Sequence, residues 1–197
     1  MIRVGIIGGI GSGKSFISKL FGYPVFNADF EVKSIYKKNK KCFTKLRKKL
    51  PKFIKTFPIR KRDLISAVSS NKKNIKIISS IVHPLVRKKM KSFIIKNKKS
   101  KMIILDIPLL IENKLNKKND IIIFINSKKS KVIDRLKKRP NFNEKLIKSL
   151  KENQLIISKK KKLADYVINN NFSAHIMKKK VKLIKEEILN ERNSSRH

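Results

Sequence analysis

The chain has 197 residues, 40% of them hydrophobic and 33% charged, and its 52 Lys and Arg against 13 Asp and Glu give a formal net charge of +39. This length suits one globular domain with a sizeable core. No apolar run approaches the roughly 18 residues of a membrane span, and the first residues lack the pattern of a signal peptide. The single cysteine, Cys42, excludes an internal disulfide and a cysteine-based metal cluster. We therefore expect a cytoplasmic protein with no membrane partner.

The positive charge comes from 43 Lys and only 9 Arg, and the lysines are spread over the whole chain. Nucleic-acid binding is one explanation of so basic a protein. However, Ile and Asn are also abundant, and Lys, Ile and Asn are the residues of A/T-rich codons, so mutational drift in an A/T-rich genome produces the same profile. We favour drift and expect no specific nucleic-acid partner, with a nucleic-acid surface as the alternative.

The segment 8–15 fits the phosphate-binding pattern G-x-x-x-x-G-K-[ST] at every required position. An apolar run at 2–7 predicts a strand before it, and the run 15–21 predicts a helix after it, which is the context that a P-loop requires. In such a loop, backbone N–H groups and the helix N-terminus hold phosphates, the Lys reaches the β- and γ-phosphates, and the Ser hydroxyl ligates Mg²⁺. The pattern thus predicts a nucleotide and Mg²⁺ as ligands, and we expect the nucleotide to be ATP. The residues expected to contact ATP are Gly9, Gly11, Ser12, Gly13, Lys14, Ser15 and Phe16.

A short strand at 24–26 follows the first helix and leads into Asn27-Ala28-Asp29. Residues 30–98 carry no pattern of a buried strand and predict several helices separated by prolines. We expect the helix over residues 85–96 to begin at His83-Pro84. The prolines interpreted as boundaries between these helices are Pro51, Pro58 and Pro84.

Two continuous apolar runs, at 102–107 and 120–126, predict buried strands of a parallel sheet. The elements predicted after them are a helix at 128–138, a Lys-rich stretch at 139–162 that suits a mobile lid, a strand at 164–169 and a helix at 173–191. Short strands that alternate with helices predict an α/β fold. We expect the P-loop NTPase fold, with a parallel sheet flanked by helices and ligands beyond the carboxyl ends of its strands.

Three carboxylates lie at or shortly after the ends of predicted strands. Asp29 comes after the second strand, where it can deprotonate or orient an acceptor hydroxyl, although an isolated Asp in this position is more often a helix N-cap. Asp106 either holds Mg²⁺, directly or through water, or bonds neighbouring loop amides. Glu112 either orients the substrate or caps a helix. We assign the catalytic roles to Asp29 and Lys14 and keep Asp106 as the candidate Mg²⁺ ligand beside Ser15.

The few arginines are the next candidates, because the planar guanidinium suits phosphate. Arg139 opens the Lys-rich stretch and Arg135 precedes it by one helical turn, so both can close over the transferring group, with Arg139 preferred. His83 and Arg87 are candidates for the acceptor site, although a lone His is usually structural. The many lysines around them are expected to be solvated.

Taken together, these residues resemble the dephospho-CoA kinase family. The resemblance covers about residues 2–171, and its parts occur in family order. The P-loop alone is generic, whereas its combination with His83-Pro84 and the segment 108–112 is specific. The matching residues are the segment 8–15, Ala28-Asp29, His83-Pro84 with Arg87, the segment 106–113, Gln154, Ala164-Asp165 with Val167-Ile168, and Asn170.

The resemblance implies transfer of the ATP γ-phosphoryl to the 3′-hydroxyl of dephospho-CoA, with Asp29 as base and Asn170 near the adenine. It also implies a helical acceptor region of about 30–98 and an ATP lid of about 139–162. We expect a monomer with one kinase domain over 1–197, whose core is formed by about 1–29, 100–138 and 163–191. The implied substrate-binding residues are Asp29, His83, Arg87, Pro108, Leu109 and Glu112.

Five positions depart from the family pattern, and one of them is Phe16, which stands where Thr usually follows Ser15. Asn27 stands where an Asp usually precedes the base by two residues, and Pro140 stands where the lid usually has Asp. Lys160 takes the place of a lid arginine and loses its bidentate geometry. Phe172 stands where Gly is common. These changes bear on the lid more than on the chemistry.

Two other functions remain as alternatives. The first is another P-loop kinase that acts on a nucleoside or nucleotide. The second, suggested by the charge, is a basic nucleic-acid-binding NTPase, although no RNA-binding aromatic motif or helicase-like set is present.

Overall fold

The computed structural model describes residues 1–71, 73–138, 142 and 154–194. None of the helices in these ranges is both long enough and apolar enough to cross a bilayer. In chain order the elements are β1 (Ile2–Gly8), α1 (Lys14–Leu20), β2 (Val25–Asn27), α2 (Ala28–Lys38), α3 (Lys40–Lys49), α4 (Lys61–Ser70), α5 (Lys73–Lys96), β3 (Met102–Asp106), β4 (Ile121–Ser127), α6 (Lys129–Lys137), α7 (Ile157–Lys162), β5 (Tyr166–Asn170) and α8 (Ala174–Ser194).

The strands form one sheet in the order β2-β3-β1-β4-β5, with β1 at the centre. β1 pairs in parallel with β3 and β4, and β4 pairs in parallel with β5. Every residue of β3 is buried, as are the four residues that follow the first one in β4. Continuous apolar strands of this kind form where helices cover both faces of a parallel sheet. The predicted α/β fold is therefore confirmed.

The core around the sheet combines strand side chains with one face each of α1 and α8. Burial of each large aliphatic or aromatic side chain stabilises the fold by about 1.5–3 kcal/mol. The P-loop is thus held between two well-packed elements, β1 and α1. The buried members of this core are Val4, Ile6, Ile17, Phe21, Met102, Ile104, Ile123, Ile125, Ile168, Met177, Val181 and Ile188.

The chain divides into two compact units. The first, residues 1–26 and 97–197, contains α1, α6, α7, α8 and the sheet apart from the last residue of β2. The second, residues 27–96, contains α2 to α5 and buries apolar side chains of its own. The buried members of this second core are Ile35, Cys42, Leu46, Leu50, Ile54, Ile59, Ala67, Ile78 and Val82.

The prediction that a helix begins at His83-Pro84 is wrong. α5 runs for 24 residues, and Pro84 lies inside it. A proline within a helix removes a backbone hydrogen bond and costs about 3 kcal/mol. Ile78 and Val82 of this helix are buried in the core that α5 shares with α2, α3 and α4. This packing offsets the cost of the proline. A sequence rule that places a helix boundary at every proline takes no account of such packing.

Candidate active site

The P-loop joins the end of β1 directly to the N-terminus of α1. Gly13 is the N-cap of α1 with φ +91°, and a Cβ there would lie 2.5 Å from Asn170 Nδ2. Gly11 has φ +80°, and a Cβ would come within 3.0 Å of Val132 Cγ1 in α6. Both positions therefore require glycine, because the backbone is left-handed and neighbouring side chains fill the space of a Cβ.

Backbone hydrogen bonds turn the loop into the helix. Ser12 N donates to the Gly9 carbonyl over 3.3 Å. Phe16 N and Ile17 N both donate to the Gly13 carbonyl over 3.1 Å. The loop and the first turn of α1 thus form one continuous hydrogen-bonded segment, as a phosphate cradle requires.

The Lys14 ammonium group lies back over the loop. Its Nζ donates to the carbonyls of Gly8 (3.1 Å) and Gly9 (2.8 Å). Ser15 and Phe16 follow it in the first turn of α1, and both side chains are exposed. No acidic side chain lies in that turn, so the helix N-terminus and the Lys14 ammonium give this end of α1 a positive potential.

Two strand ends hold the P-loop through one carbonyl. Ser127 and Asn170, the last residues of β4 and β5, are paired in register. Ser127 Oγ (3.1 Å) and Asn170 Nδ2 (2.8 Å) both donate to the Ser12 carbonyl, while Asn170 Oδ1 accepts from Phe172 N over 2.8 Å. Asn170 thus supports the phosphate loop directly, and its contact with adenine stays a prediction. Ser127 is not among the predicted site residues, because its local signal is only its place after an apolar run.

The Ser12 side chain is also buried at the loop. Its Oγ has no hydrogen-bond partner in the part of the chain that the structure describes. A buried hydroxyl without a partner is rare in native proteins. A Ser hydroxyl carries one donor, and none of the described residues accepts the one on Ser12.

Asp106 occupies the end of the strand next to the P-loop strand. It is the last residue of β3 and pairs in register with Ile6, two residues before β1 ends. The side chain is only 3% exposed. The Asp106 carboxylate and the Ser15 hydroxyl supply hard oxygen ligands, which Mg²⁺ prefers. Mg²⁺ bound through one or two protein oxygens completes its octahedron with phosphate oxygens and water, so this donor set fits the ion.

The segment after β3 is anchored on the central strand and ends in a buried ion pair. Leu110 is fully buried over Gly5 of β1, where a Cβ would collide with Leu110 Cδ2. Further along, Glu112 Oε1 lies 2.7 Å from Lys160 Nζ of α7. The same oxygen accepts a hydrogen bond from Leu155 N over 3.1 Å. Glu112 therefore holds residues 155–160 against this segment.

The residues of this segment that are predicted to bind the acceptor are Pro108, Leu109 and Glu112. Pro108 and Leu109 are half-buried, whereas the Glu112 carboxylate is already engaged. Its partner Lys160 is 2% exposed, although the other three lysines of the run 159–162 are exposed. A uniform run of lysines carries no signal for which one is buried, so the sequence could not indicate this pair. A direct acceptor contact by Glu112 stays a prediction.

Arg135 stacks on an aromatic ring. Its Cζ lies 4.6 Å from the centroid of the Phe172 ring, within the range of cation–π contacts. Phe172 has φ +68°, in the left-handed region that non-glycine residues rarely adopt. Arg139, predicted to clamp the transferring group, lies outside the described residues, together with most of the predicted lid.

Asp29 is the second residue of α2, directly after β2. The N-cap of α2 is Asn27, whose Oδ1 accepts a hydrogen bond from Phe30 N over 2.7 Å. The alternative interpretation of Asp29 as the N-cap is therefore wrong. The neutral Asn27 side chain caps α2 in this chain. Asp29 itself is exposed in the first turn.

His83 and Arg87 lie one turn apart in α5. Burial lowers the pKa of His83 below its ordinary value of 6.5, and the positive charge of Arg87 lowers that pKa further. The imidazole is therefore neutral at pH 7 and can hydrogen-bond an acceptor but cannot neutralise its phosphates. Of these two residues, only the exposed Arg87 can supply positive charge.

The candidate residues fall into two groups. The P-loop, Asp106, Glu112 and Asn170 belong to the unit that contains most of the sheet, whereas Asp29, His83 and Arg87 belong to the helical unit. A glycine loop between a central parallel strand and a helix, with a Lys over the loop and a carboxylate ending the next strand, is typical of P-loop phosphotransferases. The fold and the phosphate site thus define a P-loop kinase.

Comparisons with known proteins specify the family. The model of the dephospho-CoA kinase family matches residues 2–175. A dephospho-CoA kinase from Wolbachia pipientis wMel is 31% identical over 190 residues, which cover 94% of this chain and 97% of that protein. A solved structure from Thermus thermophilus has a TM-score of 0.76 at 25% identity, covering 94% of this chain and 97% of its own. The dephospho-CoA kinase structure from Campylobacter jejuni has a TM-score of 0.64 at 24% identity, covering 94% and 96%.

The chain belongs to the dephospho-CoA kinase family. It is by that membership an ATP-dependent phosphotransferase, and the resemblance noted from the sequence is confirmed.

Proposed function

We propose that this chain transfers the γ-phosphoryl group of ATP to the 3′-hydroxyl of dephospho-CoA and releases coenzyme A and ADP. The acceptor oxygen forms a bond to the γ-phosphorus, the bond from that phosphorus to the β–γ bridging oxygen breaks, and the hydroxyl proton passes to a base. The observation that carries the proposal is the P-loop on the central strand. The family match over residues 2–175 supports this choice of acceptor.

The P-loop holds the phosphates of ATP. The proposed contacts are the backbone N–H groups of residues 11–16 and the Lys14 ammonium. Lys14 exchanges the neutral carbonyls of Gly8 and Gly9 for charged phosphate oxygens, which are stronger acceptors. Gly9, Ser12 and Phe16 complete the site, and the Ser12 hydroxyl gains the partner that it lacks in the described residues.

Ser15 and Asp106 are the residues that would hold Mg²⁺. When bound, the ion neutralises charge on the β- and γ-phosphates. Ser15 contributes a hydroxyl at the exposed start of α1, and Asp106 contributes a carboxylate at the end of β3.

Asp29 accepts the proton of the acceptor hydroxyl or hydrogen-bonds that hydroxyl into line. The usual neighbouring carboxylate is Asn27 here, and its side chain is used as a helix cap, so Asp29 alone serves as the base of this turn. Because the transition state of phosphoryl transfer is loose, orientation contributes more than basicity. The residues proposed to surround the acceptor with Asp29 are His83, Arg87, Pro108, Leu109 and Glu112.

An assay for ADP formation with different acceptors tests the proposal. We expect turnover with dephospho-CoA and much less with nucleosides or nucleoside monophosphates. Lys14→Ala should weaken ATP binding and lower kcat/KM by about a hundredfold or more, because it removes the cation that binds the β- and γ-phosphates. Equal turnover with a nucleoside acceptor would favour the related-kinase alternative. Unchanged ATP titration of Lys14→Ala would exclude the P-loop assignment.

The same preparation tests the remaining alternatives. ATP hydrolysis that is stimulated by nucleic acid in the absence of dephospho-CoA would favour the basic NTPase. We further propose that the protein works as a cytoplasmic monomer. Analytical ultracentrifugation checks the oligomeric state, and a dimer at micromolar concentration would contradict it.

A further inference from the structure

A cavity opens at the end of the sheet opposite the P-loop. Its volume of about 1050 Å³ is close to the upper end of the range for small-molecule sites. Its walls include the residues that begin β1 and those that directly precede β3 and β4, and all of them belong to the unit that contains most of the sheet. β1 spans seven residues, or about 20 Å, between this cavity and the P-loop. The cavity is therefore separate from the proposed ATP site.

The rim of the cavity is positively charged. Five lysines line it, and all five are exposed. Within the ranges that the structure describes, none of these lysines forms an ion pair. Cations that surround one concave space raise the local concentration of anions. The five residues are Lys98, Lys99, Lys101, Lys117 and Lys118.

The one carboxylate among the lining residues, Asp120, is already neutralised. Its Oδ2 accepts hydrogen bonds from Arg3 Nη2 and Lys117 N, each over 2.9 Å. The side chains of Arg3 and Asp120 are 11% and 2% exposed, so this pair joins the beginnings of β1 and β4 below the surface. Arg3 Nε is also buried and has no hydrogen-bond partner among the described residues. The charge of the lysine rim is therefore not compensated from within the cavity.

Apolar side chains line the same cavity. Ile2, Tyr23 and Leu189 are half-buried and pack against the core around the sheet, which fixes their positions. Exposed lysines occur over the whole surface, but here they surround an aromatic ring and two aliphatic side chains. A Lys ammonium attracts anionic groups as a point charge and does not select one acid geometry. The combination matches an anion with several charged groups on a flat apolar body.

We propose that this cavity is a second ligand site, which takes one small organic polyanion with an aromatic body. The proposal goes beyond the proposed function and does not rest on it, because no residue of the P-loop and no candidate acceptor residue lines the cavity.

Fluorescence titration of the full chain with pyrenetetrasulfonate, a flat aromatic tetraanion, tests the proposal. A saturating amount of a non-hydrolysable ATP analogue with Mg²⁺ occupies the P-loop during the titration. We expect saturable binding of one pyrenetetrasulfonate per chain under these conditions. A titration that does not saturate would overturn the proposal. Binding that disappears when the analogue is added would also overturn it, because the dye would then occupy the P-loop.

Charge variants separate the cavity from general attraction to a basic protein. The double variant Lys101→Gln/Lys117→Gln should raise the Kd for pyrenetetrasulfonate by about tenfold or more, because two ammonium groups no longer contact the anion. Lys178→Gln/Lys179→Gln is the matched control, since it removes the same charge from exposed positions of α8. It should change the Kd by less than about twofold, because salt screens distant exposed charges. Equal weakening by the two double variants would contradict a defined site.

A variant of the ring tests the aromatic part of the ligand. Tyr23→Leu keeps an apolar side chain and should weaken pyrenetetrasulfonate about fivefold, because it removes the ring-to-ring contact. Its affinity for inorganic tripolyphosphate, measured with the ATP analogue present, should not change. Unchanged affinity for pyrenetetrasulfonate, or equal weakening of both anions, would contradict the proposal. Displacement of pyrenetetrasulfonate by a short DNA duplex at a lower concentration than by tripolyphosphate would instead assign this surface to nucleic acid.

Discussion

At the scale of single residues, the first turn of α2 contains two carboxylates in different settings. Glu31 Oε2 lies 2.8 Å from Lys89 Nζ. Asp29 is exposed, and no ion pair is seen for it within the described ranges. Asn27 between strand and helix is neutral and bonded to Phe30 N. Asp29 is therefore the carboxylate of this turn whose oxygens can accept a hydrogen bond from the hydroxyl of the acceptor substrate.

Replacing Asp29 by Asn should lower kcat by about two orders of magnitude or more, because the hydroxyl loses its base and its orienting acceptor. The affinity for ATP should hardly change, since the P-loop binds the phosphates. Single-turnover kinetics and an equilibrium ATP titration measure the two effects. Glu31→Gln, which removes the neighbouring carboxylate, is the control and should keep kcat. Asp29→Asn with most of the wild-type turnover would remove Asp29 from the base role.

His83 shows how burial and a neighbouring charge act on the same group. Its pKa is below 6.5, mainly because of burial and further because of Arg87. Arg87→Ala should therefore raise the pKa of His83 only part of the way to 6.5, as followed by NMR titration of the ring. A return of the pKa fully to 6.5 would show that the charge, and not burial, is the main cause.

The same pKa shift has a consequence for stability. Below pH 6.5 the unfolded chain binds a proton at this position that the folded chain resists, so stability should fall as the pH drops from 6.5 through the lowered pKa. The thermal midpoint of His83→Gln should fall less between pH 7 and pH 5 than that of the wild type. An equal loss in both proteins would contradict this linkage.

At the scale of elements, the segment after β3 and helix α7 are joined by the Glu112–Lys160 ion pair. The Lys160 side chain is 2% exposed and that of Glu112 is 11% exposed. Removal of two charges from water is costly, and the attraction between them repays that cost only when both are present. The exposed pair Lys182–Glu186, with 4.0 Å between its charged atoms, contributes little by comparison, about 0–1 kcal/mol.

Lys160→Met should lower the free energy of unfolding by about 3–5 kcal/mol, because it leaves the Glu112 carboxylate buried without a counter-charge. The double variant Glu112→Gln/Lys160→Met should recover most of this loss, since no charge then remains buried. Urea unfolding measures both. Lys161→Met, at an exposed position of the same lysine run, is the matched control and should change the value by less than about 0.5 kcal/mol. Equal effects at positions 160 and 161 would contradict the buried pair.

At the scale of the whole molecule, the net charge of +39 opposes folding by self-repulsion. Most of the described lysines are exposed, and repulsion between exposed charges is screened by salt. The buried Glu112–Lys160 pair is screened much less.

Raising NaCl from about 0.02 M to about 0.3 M should therefore raise the thermal midpoint of the protein. Calorimetry or circular dichroism measures the shift. In a variant with exposed α8 lysines changed to Gln, the thermal midpoint should rise less with NaCl than in the wild type. Suitable positions are Lys178, Lys179 and Lys182. A midpoint that stays constant or falls with salt would show that attractive surface pairs outweigh the repulsion.

The amino-acid sequence by itself determined the β1–P-loop–α1 segment, the buried strands β3 and β4, and the family. Each of these depends on a local pattern: the glycine spacing of the loop, a continuous apolar run, or a short motif in order. Such patterns report which residues avoid water and which backbone conformations are accessible, and both are properties of neighbouring residues.

Only the tertiary structure decided which side chains meet. Three sets of contacts join distant parts of the chain. Glu112 pairs with Lys160, one of four consecutive lysines, and Arg135 lies over the Phe172 ring. The Ser12 carbonyl accepts hydrogen bonds from Ser127 and Asn170. The passage of α5 through Pro84 likewise depends on packing with three other helices. Partners distant in sequence leave no periodicity, because their distance is set by how strands and helices pack and not by the order of residues.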